Sequence, residues 1–86
     1  MEQSSKAVAG VIGLGIIGSR VTACLRKSGY QVWLWNRSLR PEPNFLSSPA
    51  EVAESAKHIQ IFVANGEALL AVLRSMAPVL TPEHII

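Results

Sequence analysis

Apolar positions along the chain follow two alternating rhythms, and glycine or proline marks the breaks between them. Ala7 to Ile12 is a run of small and apolar residues, the pattern of a strand covered on both faces. Gly13-Leu14-Gly15-Ile16-Ile17-Gly18 interrupts it. Beyond the break, Ile17, Val21, Cys24, Leu25 and Ser28 form a helical stripe expected to face the core, with Arg20, Arg26 and Lys27 off that face. Gly29 is placed to end the helix as a left-handed cap. Gln31 to Trp35, β-branched and aromatic, predicts a second strand. Ser38 to Asn44, carrying Pro41 and Pro43, reads as a loop. Ser48-Pro49-Ala50-Glu51 is a capping box with proline at the first helical position, opening a short helix to about Ala56. His58 to Val63 predicts a third strand, and Asn65 a cap for a helix from about Gly66 to Met76, ahead of Pro78. Thr81-Pro82-Glu83 turns the chain into His84-Ile85-Ile86, the start of a fourth strand. Strands alternating with helices at this spacing imply an α/β fold of Rossmann type. Its doubly wound parallel sheet is partial, with about four strands, three helices and right-handed crossovers.

Composition narrows the function classes. At 86 residues the chain is one small domain, expected to be marginal alone or to lean on a partner, because short chains bury a smaller share of their surface. A net charge of +2 from scattered Lys and Arg argues against nucleic acid as a partner. No apolar run approaches the roughly 20 residues that span a bilayer, so no membrane partner is expected. The polar start, Met1 to Lys6, lacks signal-peptide anatomy. The single cysteine, Cys24, excludes an internal disulfide and fits a reducing, cytoplasmic location, where it reads as a small buried helix residue. Trp33 and Trp35 share a strand face and read as core or helix-packing residues, as does the stripe Leu69, Val72, Leu73 and Met76. His58 and His84 stand at strand starts and read as surface residues, and neither has a metal-ligand partner at suitable spacing.

The chemistry concentrates in the glycine loop. G-x-G-x-x-G alone arises by chance, but here it leaves a predicted strand and opens a predicted helix within a βαβ pattern. Gly13 would make the tight turn, Gly15 would let a diphosphate approach the backbone, and Gly18 would let the helix pack close to the sheet. Ile16 and Ile17, with Leu14 beside them, would present backbone N–H groups at a helix N-terminus, where the dipole favours an anion. An NAD site calls for Asp or Glu at the end of the second strand, to bond the ribose 2′-hydroxyl. Asn36-Arg37-Ser38 stands there instead: Arg37 offers a planar fork and Ser38 a hydroxyl to a 2′-phosphate, and with Asn36, which does not repel it, they would hold that phosphate, which favours NADP(H). Val63, Ala64 and Asn65 lie at the carboxyl end of the third strand and would line the cofactor cleft, although helix capping explains Asn65 equally well.

Four segments in order resemble the N-terminal domain of the β-hydroxyacid dehydrogenases. They are Val11-Ile12-Gly13-Leu14-Gly15-Ile16-Ile17-Gly18, Gly29-Tyr30-Gln31-Val32, Trp35-Asn36-Arg37-Ser38 and Ser47-Ser48-Pro49-Ala50-Glu51-Val52-Ala53. The family includes 3-hydroxyisobutyrate and 6-phosphogluconate dehydrogenases, glyoxylate/succinic semialdehyde reductases and imine reductases. The resemblance implies that residues 1–86 are the N-terminal part of an NADP-binding domain, with the catalytic lysine and the helical C-terminal domain lying outside it. No residue is therefore assigned a catalytic or metal-binding role, and the chain by itself is expected to be inactive. A homodimer or a further C-terminal domain is the expected protein partner. The stretch between Ser38 and Ser47 is shorter than the family's usual helix and strand, so one crossover is expected to be a loop, with Phe45-Leu46 a vestige of the strand. That shortening motivates the other reading, a non-catalytic nucleotide sensor or protein-interaction module with a degenerate Rossmann fold.

Overall fold

The computed structural model describes residues 7–86, so the polar start Met1–Lys6 lies outside the described residues. β1 (Val8–Ile12) leads to α1 (Ile16–Lys27), β2 (Gln31–Trp35), α2 (Pro49–Ser55), β3 (Ile59–Ile61) and α3 (Gly66–Met76). A 3₁₀ turn, Ala77–Val79, follows α3. Proline in its first turn lets the helix tighten before it ends, where the sequence suggested a plain stop.

The sheet is parallel, in the order β2-β1-β3. Single parallel bridges extend it on both sides: Phe45 beside Leu34 of β2, and Ile85 beside His58 at the start of β3. In chain order the five segments stand 3-2-1-4-5, one half of the doubly wound dinucleotide-binding arrangement plus the fourth and fifth strands. Phe45 is thus the expected vestigial strand, and the expected fourth strand at His84–Ile86 is reduced to one bridge.

Alternation along β1 sends side chains to both faces. Ile12 joins Val52, Ala53, Ile59, Val72 and Met76 in a core beneath α2 and α3. Val11 joins Leu14, Val32 and Leu34 on the other face, where Leu25 of α1, Phe45 and Phe62 pack against them. Trp35 packs against the first of these cores, in keeping with its reading as a packing residue. In the α3 stripe Val72 and Met76 are buried and Leu73 packs against the core, while Leu69 is exposed.

α1 lies on the sheet differently from its apolar stripe. Its buried residues are Gly18 and Thr22; Ile17, Cys24 and Ser28 are exposed, and Val21 and Leu25 half-buried. The expected core-facing stripe is corrected to Leu25, which packs against the sheet, and the expected burial of Cys24 is corrected to exposure. The physical reason is close approach: Gly18 and Thr22, four apart, present the smallest surface to the sheet, and the Thr22 hydroxyl is satisfied by the Gly18 carbonyl at 2.8 Å. His84 is also more than a surface residue. Its Nδ1 accepts from the Thr81 N–H at 3.0 Å, and its Nε2 lies 2.7 Å from the Ala53 carbonyl, so the neutral Nε2–H tautomer closes the turn and ties it to α2.

The ends of α1 and α2 follow local chemistry. Gly29, at φ 94°, closes α1 with the Tyr30 N–H on the Leu25 carbonyl and the Gly29 N–H on the Arg26 carbonyl, a Schellman cap. Ser48 accepts from the Glu51 N–H at 3.2 Å, while the Glu51 carboxylate reaches back to Ser47, its N–H at 2.7 Å and its hydroxyl. The Ser47 hydroxyl, and next the Ser47 N–H, hold the Glu51 carboxyl below its ordinary value of 4.5. A lowered folded-state value means the contribution is fully present above the ordinary value of 4.5 and is lost as pH falls below it through the folded value. The expected outcome is that the stability gap between wild type and Glu51→Gln, read from urea unfolding midpoints, is widest near neutral pH and closes as pH falls through 4.5 and below the folded value.

Candidate dinucleotide site

The site lies where three parallel strands end side by side. Ile12 is in register with Trp35 on one side and Ile61 on the other, so Gly13, Asn36 and Phe62 leave the sheet together. The Gly13 N–H donates to the Trp35 carbonyl at 2.8 Å, and the Phe62 N–H to the Ile12 carbonyl at 2.7 Å. β1 is the strand from which the chain departs both ways, and the crevice at its carboxyl end is where open α/β sheets take ligands.

The three glycines of the loop differ in what they are for. Gly13 has φ 100°, and a Cβ there would collide with the Phe62 carbonyl. A Cβ on Gly18 would collide with the Gly13 carbonyl oxygen and stand 3.5 Å from the Phe62 ring. Both are demanded by the protein's own packing. Gly15 has nothing within 4 Å of a Cβ placed on it and an ordinary φ of -71°. The chain itself gives no reason for its lack of a side chain.

Gly15 is also the N-cap of α1. α2 and α3 are each capped by a side chain, Ser48 and Asn65, and each carries an acid in its first turn, Glu51 and Glu67. α1 has no side-chain cap and no acid in its first turn. Among the described residues the N–H groups of Ile16, Ile17 and Gly18 find no acceptor. They stand at the positive end of the helix dipole, with the exposed side chains of Ile16 and Ile17 beside them.

Asn36 braces this loop from the neighbouring strand end. Its Oδ1 accepts from the Leu14 N–H at 2.8 Å, and its Nδ2 donates to the Ser38 carbonyl at 2.9 Å. The amide that the sequence placed toward a 2′-phosphate is therefore engaged with backbone. Arg37 and the Ser38 hydroxyl stand exposed at the edge, and among the described residues Arg37 makes no ion pair. On the other flank Val63 packs against the α2/α3 core, Ala64 is exposed, and Asn65 accepts from the Ala68 N–H at 2.9 Å to cap α3. Phe62 was not legible as a site residue: its backbone seats Gly13, a pairing that depends on register between strands far apart in sequence. Among the described residues no helix is long and apolar enough to cross a membrane, and no group of three His, Cys, Asp or Glu side chains gathers to hold a metal ion.

Sheet order, crevice and glycine loop together define the class: a dinucleotide-binding α/β domain. The family described as the NAD-binding domain of 6-phosphogluconate dehydrogenase matches residues 8–86, and the chain belongs to that family. A comparison with curated proteins finds no match. Among solved structures, the TT0316 protein of Thermus thermophilus is similar at 23% identity with a TM-score of 0.68, over 84% of this chain and 25% of that one. A glycerate dehydrogenase related protein of Thermoplasma acidophilum is similar at 22% identity with a TM-score of 0.64, over 87% of this chain and 31% of that one. At these identities the likeness is one of fold, and the chain spans about a quarter to a third of each neighbour's length.

Two outcomes are expected from the site's geometry. Gly18→Ala should cost about 2–4 kcal/mol in chemical denaturation, and Gly15→Ala about 1 kcal/mol or less. Asn36→Ala should cost about 1–3 kcal/mol by the same measurement, because it strands the N–H of buried Leu14.

Proposed function

We propose that the chain is the NADP(H)-binding domain of an oxidoreductase acting on small hydroxy acids, aldehydes or imines, working in the cytoplasm. The observation that carries the dinucleotide is Gly15: open space above an uncapped helix N-terminus, at a residue whose missing side chain the protein's own packing does not require. A diphosphate fits that cradle, accepting from the N–H groups of Ile16, Ile17 and Gly18. NADPH supplies a hydride when bound. The residues of this chain hold and orient it, and the groups that act on the substrate would come from outside residues 1–86.

The preference for a 2′-phosphate rests on Arg37 and Ser38. β2 ends without an acid to repel a phosphate, and Arg37 stands exposed beside the strand end that Asn36 braces. Membership in a dehydrogenase family supports the oxidoreductase reading over the degenerate module, and the retained glycine geometry supports a working cradle over a relic.

Titration with NADPH and with NADH, followed by tryptophan fluorescence, tests this reading, since half-buried Trp35 precedes Asn36. Saturable binding that prefers NADPH at least about tenfold is expected, and Arg37→Ala should reduce NADPH affinity roughly ten- to a hundredfold while sparing NADH. A folded chain that binds neither nucleotide would overturn the assignment; equal binding of both would overturn its NADP half.

A further inference from the structure

The segment that carries Arg37 has no ladder of its own. Among the described residues, the only backbone–backbone hydrogen bond within 37–43 joins the Glu42 N–H to the Arg40 carbonyl at 2.8 Å. Where a crossover helix would hold such a segment by its repeating hydrogen bonds, this one is held at its two ends, by side chains and, at Asn44, also by the Leu34 N–H donating to the Asn44 carbonyl at 3.0 Å. At the start, Asn36 Nδ2 donates to the Ser38 carbonyl. At the far end Asn44 takes a left-handed φ of 60°, and its Nδ2 donates to the Val32 carbonyl at 3.3 Å.

The remaining anchor comes from α1. Arg26, in its last turn, uses both arms of the guanidinium: Nη1 donates to Glu42 Oε1 at 3.1 Å and Nη2 to the Pro43 carbonyl at 3.0 Å. The loop so held forms one wall of a cleft of about 210 Å³ that reaches from Leu14 in the glycine loop past Thr22 to Arg26, with Arg40 and Glu42 opposite. α1 therefore meets both parts of the site. Its N-terminus is the diphosphate cradle, and its C-terminal turn grips the loop that follows Arg37. As a rigid helix, it fixes how far apart the two stand.

We propose that Arg26 is a positioning residue for the 2′-phosphate subsite: by gripping Glu42 and Pro43 it holds the loop 37–43 against α1 and so sets where Arg37 and Ser38 stand relative to the diphosphate cradle. The proposal rests on the reading of Arg37 given above. Arg26 touches no part of the nucleotide. The pair is partly exposed, with 32% and 42% of the two side chains accessible, so its effect is modest in size and is read as a change in discrimination.

The test is a set of NADPH and NADH titrations on wild type, Arg26→Ala, Glu42→Ala, Arg37→Ala and the Arg26→Ala/Arg37→Ala double variant, each checked for folding by circular dichroism. Expected is a roughly three- to tenfold loss of NADPH affinity in Arg26→Ala, with NADH unchanged. Glu42→Ala should show a smaller loss in the same direction, and Arg26→Lys, which keeps the charge without the fork, partial retention. In the double variant the loss of NADPH affinity should be less than the product of the two single losses, because with Arg37 gone the grip positions only Ser38. Equal losses for both nucleotides, or unchanged discrimination in Arg26→Ala and Glu42→Ala while Arg37→Ala abolishes it, would overturn the proposal and leave the reading of Arg37 standing. Unchanged discrimination in Arg37→Ala would instead overturn that reading. Should Arg26→Ala fail to fold, Glu42→Ala, an exposed loop residue, decides the matter alone.

Discussion

Three stretches of backbone meet within van der Waals reach at the carboxyl end of β1, and the rest of the site depends on that meeting. The chain turns out of the strand at Gly13, directly against the Phe62 carbonyl, and α1 returns over the turn with Gly18 against the Gly13 carbonyl. Two missing side chains permit both approaches. Because Gly18 can sit so low, α1 rests on the sheet through Gly18 and Thr22, and its N-terminus points into the crevice. Asn36 then locks the loop from the next strand by accepting the Leu14 N–H. A side chain at Gly18 would lift the helix off the turn, and one at Gly13 would push the turn off Phe62; either change would open the cradle.

The low seat of α1 has a cost on its outer side. Ile17, Val21 and Cys24, apolar and regularly spaced, are left half-buried or exposed, and of that stripe Leu25 packs against the sheet. Periodicity identifies an apolar stripe but does not say which neighbour it faces, and here the smaller surface of Gly18 and Thr22 takes the sheet. The shortened crossover has a related consequence. Without a helix between β2 and Phe45, the flank of α1 meets a loop held by the fork of Arg26 and by Asn44.

Much of the fold was legible because its signals are local. β2 and α3 have the predicted limits, and Gly29, Ser48 and Asn65 cap as their chemistry requires, since each acts through atoms a few residues away. The glycine loop was legible for the same reason: its spacing encodes a turn and a helix start. The loop at Ser38–Asn44 and the vestige at Phe45 followed from two prolines and a short count of residues. Less legible were the roles set by long-range partners. Asn36 serves the backbone of Leu14, 22 positions away, and His84 bonds Ala53 across 31.

The sequence by itself determined the order of elements, the parallel α/β class and the turn chemistry at β1, because propensity, periodicity and capping are properties of short windows. Tertiary structure alone decided which face of α1 is buried, which glycine of the loop after β1 the packing leaves unexplained, and which arginine grips the loop after β2. Each of those depends on distances between segments that meet only when the sheet forms, and no window of sequence contains both partners.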